Sequence, residues 1–160
     1  MEKPKFYLET TLFNYYFDSD RDAHADTVML FSEIAAGKFT AYTSNTVLDE
    51  LTAAPEPKRG LMLALMDQYP IQALTTNDAV DQLVDLYIAE GIVPAKYWRD
   101  GVHIAVAAVN GLDFVVSMNF QHIVRPKVKH MANQVHFSKG YHPITIVTPK
   151  EMIDENIQHH

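Results

Sequence analysis

The amino-acid sequence predicts an α/β fold, a three-layer α/β/α domain around a central parallel sheet, and three observations predict it. Segments of strand character alternate with segments of helical periodicity, the pattern of βαβ units rather than of hairpins. Phe114-Val-Val-Ser-Met118 is a continuous apolar run bounded by turn signals, which suits a strand buried on both faces. The 160 residues, 48% of them hydrophobic, supply one core and are too few for two ordinary domains. Residues 1–157 therefore read as a single domain and 158–160 as a C-terminal tail, in which His159 and His160 resemble a tag remnant.

Lys5 to Glu9 reads as the first strand, with Phe6 and Leu8 on one face and Tyr7 and Glu9 on the other. A helix follows at once, capped by Thr10 or Thr11, filled by Leu12, Phe13, Tyr15, Tyr16 and Phe17, and ended by the polar cluster at 18–22. Asp26 to Ala36 is the next helix, stopped by Gly37, and Phe39 to Thr43 the second strand. Thr46 and Asp49 match a capping box for a helix that turns Val47, Leu48, Leu51 and Ala54 inward until Pro55 and Pro57 interrupt it. Helix resumes near Lys58. Residues 71–74 read as a short strand, Asn77 to Glu90 as a helix closed by Gly91, and Pro94 introduces a helix that ends near Asn110. Ile144 to Val147 is the last strand. Tyr15-Tyr16-Phe17 and the run from Leu61 to Met66 read as core or dimer surface rather than as base-stacking or cofactor motifs.

The absence of cysteine excludes disulfides, thiolate zinc sites and cysteine nucleophiles. No signal-peptide pattern and no membrane-length apolar run is visible, so a cytoplasmic location is the expectation. A formal charge of −7 runs against a nucleic-acid role, but the average conceals an asymmetry. Between Asp113 and Glu151 there is no acid, while Arg125, Lys127, Lys129, Lys139 and Lys150 fall there together with His122, His130, His136 and His142. That stretch is either a solvated loop or a track for a polyanion beside an acidic site.

In parallel sheets, ligands bind beyond the carboxyl ends of the strands, which singles out Glu9, the Thr43-Ser44-Asn45 turn and the Ser117-Met118-Asn119 turn. Glu9 alone is compatible with an ordinary solvated carboxylate. Glu50 lies three residues from Val47 and four from Ala54, beside the buried stripe of its helix, so it turns toward the sheet or pairs at the boundary with a cation. Asp100 lies inside the helix introduced by Pro94, too late to cap it, and flanks the apolar stretch from Val102 to Val109. It either binds a metal or pairs with Arg99 or Lys96, and His103 one turn later reads as a hydrogen-bonded core histidine. Three separated acids suit a hard cation such as Mg²⁺ or Mn²⁺. No EF-hand loop, HExxH, G-x-S-x-G, Walker A lysine or GxGxxG is present, so those chemistries lack their first requirement.

The segments FYLETTLFNYYF, YTSNTVLDEL, DGVHIAVAAVNGLDFVVSMNFQHIV and GYHPITIVTPKEM resemble the PIN-domain family of metal-dependent nucleases, and VSMNFQHIV is similar to the Ser-Trp-Asn-Phe-x-His-Ile pattern of its VapC-like toxin subgroup. By that resemblance the metal-binding acids fall on Glu9, Glu50 and Asp100 and the fourth polar position on Asn119. Glu9 stands where the family usually has aspartate, and Asn119 where many members have an acid. The resemblance implies a Mg²⁺- or Mn²⁺-dependent ribonuclease of a toxin–antitoxin module, with an antitoxin partner and a homodimer. Asn119, with Ser44 or Thr11, would orient water or phosphate, and Ser44, Arg125, Lys127 and Lys129 would contact RNA. The rival reading is a catalytically silent PIN-like binding module, favoured by the two departures at Glu9 and Asn119.

Overall fold

A computed structural model describes residues 2–158 as five strands and eight helices. The strands are β1 (Lys5–Leu8), β2 (Thr40–Ser44), β3 (Ile71–Leu74), β4 (Phe114–Val116) and β5 (Thr145–Val147). All neighbours are parallel, in the order β3-β2-β1-β4-β5. The helices are α1 (Thr10–Tyr15), α2 (His24–Ala35), α3 (Asn45–Thr52), α4 (Lys58–Gln68), α5 (Asp78–Ala89), α6 (Trp98–Val109), α7 (Pro126–Ser138) and α8 (Pro149–Gln158). This is the expected three-layer α/β/α architecture. α5 packs against α6 and α7 in one layer, and in the other α1 meets α2, α3 and α4 while α8 lies on α2. No helix among the described residues is long and apolar enough to cross a membrane.

β1 is central, so Phe6, Tyr7 and Leu8 are all fully buried, as a parallel sheet covered on both faces requires. From β1 the chain winds outward through β2 and β3, then crosses to the other side to form β4 and β5. The carboxyl ends of β1 and β4 therefore bound a topological switch point, the crevice where open α/β sheets bind ligands. Backbone pairing continues one residue past the strands there, with Glu9 N–H on Val116 O (3.1 Å) and Ser117 N–H on Val147 O (3.0 Å).

Several local expectations are corrected. Ser44, not Thr46, caps α3: its hydroxyl accepts the Val47 N–H at 3.4 Å. α1 begins without a side-chain cap, because the Thr10 and Thr11 hydroxyls serve carboxylates instead. A 3₁₀ turn over Ala95–Tyr97 absorbs the start of the helix behind Pro94, so Asp100 lies in the first turn of α6. An acid is favoured there by the helix dipole, which removes the propensity argument for its strangeness. The acid-free stretch is not a loop, since Pro126 at the first helical position opens α7 and buries Val128, Ala132 and His136. Tyr16 and Phe17 pack on the core, as do Met62 and Leu65 of α4.

α7 is fastened by a buried polar chain. His136 Nδ1 bonds the Asn133 amide oxygen at 3.0 Å, Asn133 grips both backbone groups of Ile144, and the Tyr87 hydroxyl donates to His136 Nε2. Burial pushes the His136 imidazole down to about 4, so the ring is neutral and can accept that bond. Tyr87→Phe should lower stability by about 1–3 kcal/mol through the orphaned ring nitrogen. The check is a lower urea midpoint at unchanged m-value.

Candidate active site

Three carboxylates from three elements lie within electrostatic reach of one buried histidine at the carboxyl edge of the sheet, and one of them, Glu50, bonds it. Glu9 ends β1, Glu50 faces inward from α3, and Asp100 stands in the first turn of α6. His103, one helical turn beyond Asp100 and 0% exposed, feels the charge of all three.

Glu9 is 3% exposed, and its Oε1 accepts the hydroxyls of Thr11 and Ser117, each at 2.6 Å. Ser117 follows β4, so this bond ties the two strands at the switch point. Thr11 accepts the Met118 N–H at 2.9 Å and Ser117 the Asn119 N–H at 2.9 Å, which fixes the whole turn against Glu9. Burial pushes the Glu9 carboxyl up, and the pull of His103 and the two hydroxyls only partly offsets it.

Glu50 Oε1 accepts His103 Nε2–H at 2.7 Å and the Thr10 hydroxyl at 2.8 Å. Partial burial raises its carboxyl, but the bond and charge of His103, with Thr10 and Arg99, outweigh this and hold it below the ordinary carboxylate range. For His103 burial favours the neutral ring, yet the bond to Glu50 and the charges of Glu9, Glu50 and Asp100 raise its affinity for a proton. As an imidazolium it donates through Nε2 to Glu50 and through Nδ1 to the Tyr7 hydroxyl at 2.6 Å, and Tyr7 in turn reaches Ser44 Oγ at 2.7 Å. The expected hydrogen-bonded core histidine is thus also the hub of the acidic site.

Asp100 pairs with neither Arg99 nor Lys96. Its Oδ2 lies 3.0 Å from His122 Nδ1, and its Oδ1 accepts Asn119 Nδ2–H at 3.3 Å. Burial pushes this carboxyl up, and the repulsion of Glu50 adds to that against the pull of His103 and His122. Asn119 spends its carbonyl oxygen on the His122 backbone N–H at 3.0 Å, so it positions Asp100 and His122.

Ser44 does not reach this cleft as a phosphate contact. It is 0% exposed and its oxygen is engaged by Tyr7 and the Val47 N–H, so its part is to cap α3 and anchor Tyr7. Arg125 and Lys127 are exposed and Lys129 is half-buried at the start of α7, and none of the three has an ion-pair partner among the described residues. Asp113 lies at the opposite edge of the sheet, where it accepts the Lys5 N–H at 2.9 Å. A cavity of about 330 Å³ lined by Asp49, Glu50, Ala53 and Arg99 opens beside the acids. A larger one, about 590 Å³, borders α5 with Lys139 and Tyr141 and touches none of them, so size alone would misplace the site.

The sequence offered His103 as a core histidine one turn from Asp100 and His122 as part of a basic stretch, and neither as a partner of the acids. Their i+3 spacing from Asp100 and from Asn119 is the signal that pairs them with the site, but the same spacing serves ordinary helix packing.

The donor set is oxygen-rich, with a second oxygen on Glu9 and on Glu50 to which no side chain donates among the described residues, and such donors fit a hard divalent cation. Among the described residues no three His, Asp or Glu side chains stand close enough, as placed, to hold an ion together.

No family model matches the chain, and no curated protein matches its sequence. Solved structures do. The Mycobacterium tuberculosis VapC20 toxin, described as cleaving the sarcin-ricin loop, superposes with a TM-score of 0.51 at 14% identity, over 69% of this chain and 86% of that one. VapBC2 from Rickettsia felis, solved with a DNA fragment from its promoter, gives a TM-score of 0.57 at 14% identity, over 90% of this chain and 98% of that one. Likeness at this identity speaks for architecture, and the architecture agrees with the sheet order and layers seen here. The chain has the PIN-like α/β/α fold of the VapC toxins.

Proposed function

We propose that the protein is a divalent-metal-dependent ribonuclease, the toxin of a toxin–antitoxin module. What supports this reading is the bond of Glu50 to buried His103 at the β1/β4 switch point, with the charges of Glu9 and Asp100 acting on the same ring. Burial leaves Glu9 and Asp100 with raised proton affinity, so the site is short of positive charge, which a bound cation supplies. Glu9, Glu50 and Asp100 would hold Mg²⁺ or Mn²⁺, which when bound lowers the pKa of a coordinated water and neutralises the scissile phosphate.

The chain's own groups prepare that chemistry. Thr11 and Ser117 fix one Glu9 oxygen and leave the other for the cleft, while Thr10 and His103 do the same for Glu50. Asn119 and His122 aim Asp100. Arg125, Lys127 and Lys129 offer cations to the RNA backbone. An antitoxin that restrains the enzyme, a homodimer and a cytoplasmic location belong to the same proposal.

Cleavage of RNA by the purified protein with Mg²⁺ or Mn²⁺, lost on chelation, is the direct test. No cleavage of any RNA with the antitoxin removed would turn the reading to a silent binding module. Charge reversal at Lys127 and Lys129 together should weaken RNA binding and reduce the slope of log K against log salt by about 1–2. An unchanged slope would return both lysines to the solvated face of α7.

A further inference from the structure

The surface beside Asp100 carries large rings that the fold does not need. Tyr97 is 40% and Trp98 44% exposed, and Phe120, next to Asn119 in the chain, is 54% exposed. Tyr97 and Trp98 are held on the 3₁₀ turn and first residue of α6. Tyr97 and Trp98 each lie against a basic side chain that also borders the site. His122 lies flat on Tyr97, with centroids 4.1 Å apart and planes 26° apart, and its Nδ1 reaches Asp100. The Arg99 guanidinium lies 4.6 Å from the Trp98 ring centre and lines the cavity that Glu50 borders. Lys96 sits 5.6 Å from the Tyr97 ring.

We propose that Tyr97 and Trp98 form a stacking platform for an unpaired base of the RNA strand whose phosphate enters the acidic cleft. Planar rings interleaved with cations match the two parts of a nucleotide, since bases stack on aromatic faces and phosphates pair with the basic groups. A protein face would bury Lys96 and Arg99 with the rings and would have to supply acids for them. A base inside a duplex is already stacked and cannot use the platform, so the inference selects single-stranded or looped RNA. It rests on the nuclease reading and adds the recognition of the base to it.

Trp98 is the only tryptophan, so its emission reports on this surface directly. The protein is titrated with a short single-stranded 2′-O-methyl RNA, with the same strand carrying abasic sites, with its duplex, and with inorganic polyphosphate. Emission should be quenched by the single strand, and much less by the other three. By the anisotropy of an end-labelled strand, which does not need the tryptophan, Trp98→Ala and Tyr97→Ala should each weaken single-strand binding about 5- to 150-fold. Trp98→Phe and Tyr97→Phe should recover most of it, and Phe137→Ala, an exposed ring at the far end of α7, should change nothing.

Equal quenching by abasic strand or polyphosphate would overturn the platform, as would unchanged affinity in Trp98→Ala. Emission that responds to protein concentration alone would assign the rings to contact with a second copy and overturn it too. In those cases RNA cleavage by the wild type persists. A wild type that neither binds nor cleaves RNA would remove the nuclease reading itself.

Discussion

Asp100→Asn should abolish RNA cleavage, by about 100-fold or more, while leaving the fold intact. An outer-shell partner of a metal ligand is typically worth about 10–100-fold, and Asp100 is placed here as a ligand, so the upper end is the minimum expected. The substitution keeps the volume and an acceptor oxygen for His122, and removes the charge. Its stability signature separates a ligand from a structural acid. If the ion binds the folded protein at about 100 times its dissociation constant, the wild type gains about 2.7 kcal/mol, or about 5–10 °C for a chain of this size. Asp100→Asn should lose that gain and keep its metal-free melting temperature. A variant that melts lower without metal but responds to Mn²⁺ as the wild type does would make Asp100 a structural partner of His122 and Asn119.

Element types were legible because periodicity and punctuation agree along most of this chain. Gly37 and Gly91 each take positive φ just past a helix, where they were expected as stops. The two helices that escaped notice are α7 and α8, whose few apolar residues stand among lysines and histidines in the first and among acids in the second; Pro126 and Pro149 mark their starts but also mark turns. The acids of the site were legible one at a time, from the strand end at Glu9 and the buried flank at Glu50. The partners were not. Nothing local says that Ser117, 108 residues from Glu9, donates to it, or that Tyr7 and Ser44 stand behind His103, because the parallel sheet creates those contacts between distant segments. Ser44 shows the cost of reading position without burial: the turn was right, and the side chain faces the core.

His103→Leu should destabilise the protein by about 3 kcal/mol or more, because it removes a fully buried ring from between groups that cannot repair the loss. Glu50 would keep Thr10 and some contact with water, whereas the Tyr7 hydroxyl would lose its bond to the ring and keep only Ser44. The same cluster sets the direction of the pH response. Glu9, Asp100 and His103 all have folded proton affinities above their unfolded values, so folding takes up protons at each. For His103 the stability it adds is complete below its unfolded value of about 6.5 and fades as pH rises through the higher folded one. Ionising Glu9 and Asp100 in the folded state costs more than in the unfolded chain, so their contribution has the same sign. Glu50, lowered by His103, opposes them and loses its contribution only as pH falls through its folded value. His136, whose buried ring is held at about 4, also opposes them, because its contribution grows as pH rises to its unfolded value of about 6.5. The metal-free protein should therefore show a falling urea midpoint as pH rises above about 6.5. Saturating Mg²⁺ or Mn²⁺ should flatten or reverse that slope, since ligands must be deprotonated to bind and the ion supplies the missing charge. His103→Leu should keep the part of the slope that belongs to Glu9 and Asp100 and lose the rest. Metal-free stability that rises across this range would mean that the three carboxylates do not share a charge-deficient cleft, and the metal site would have to be sought elsewhere.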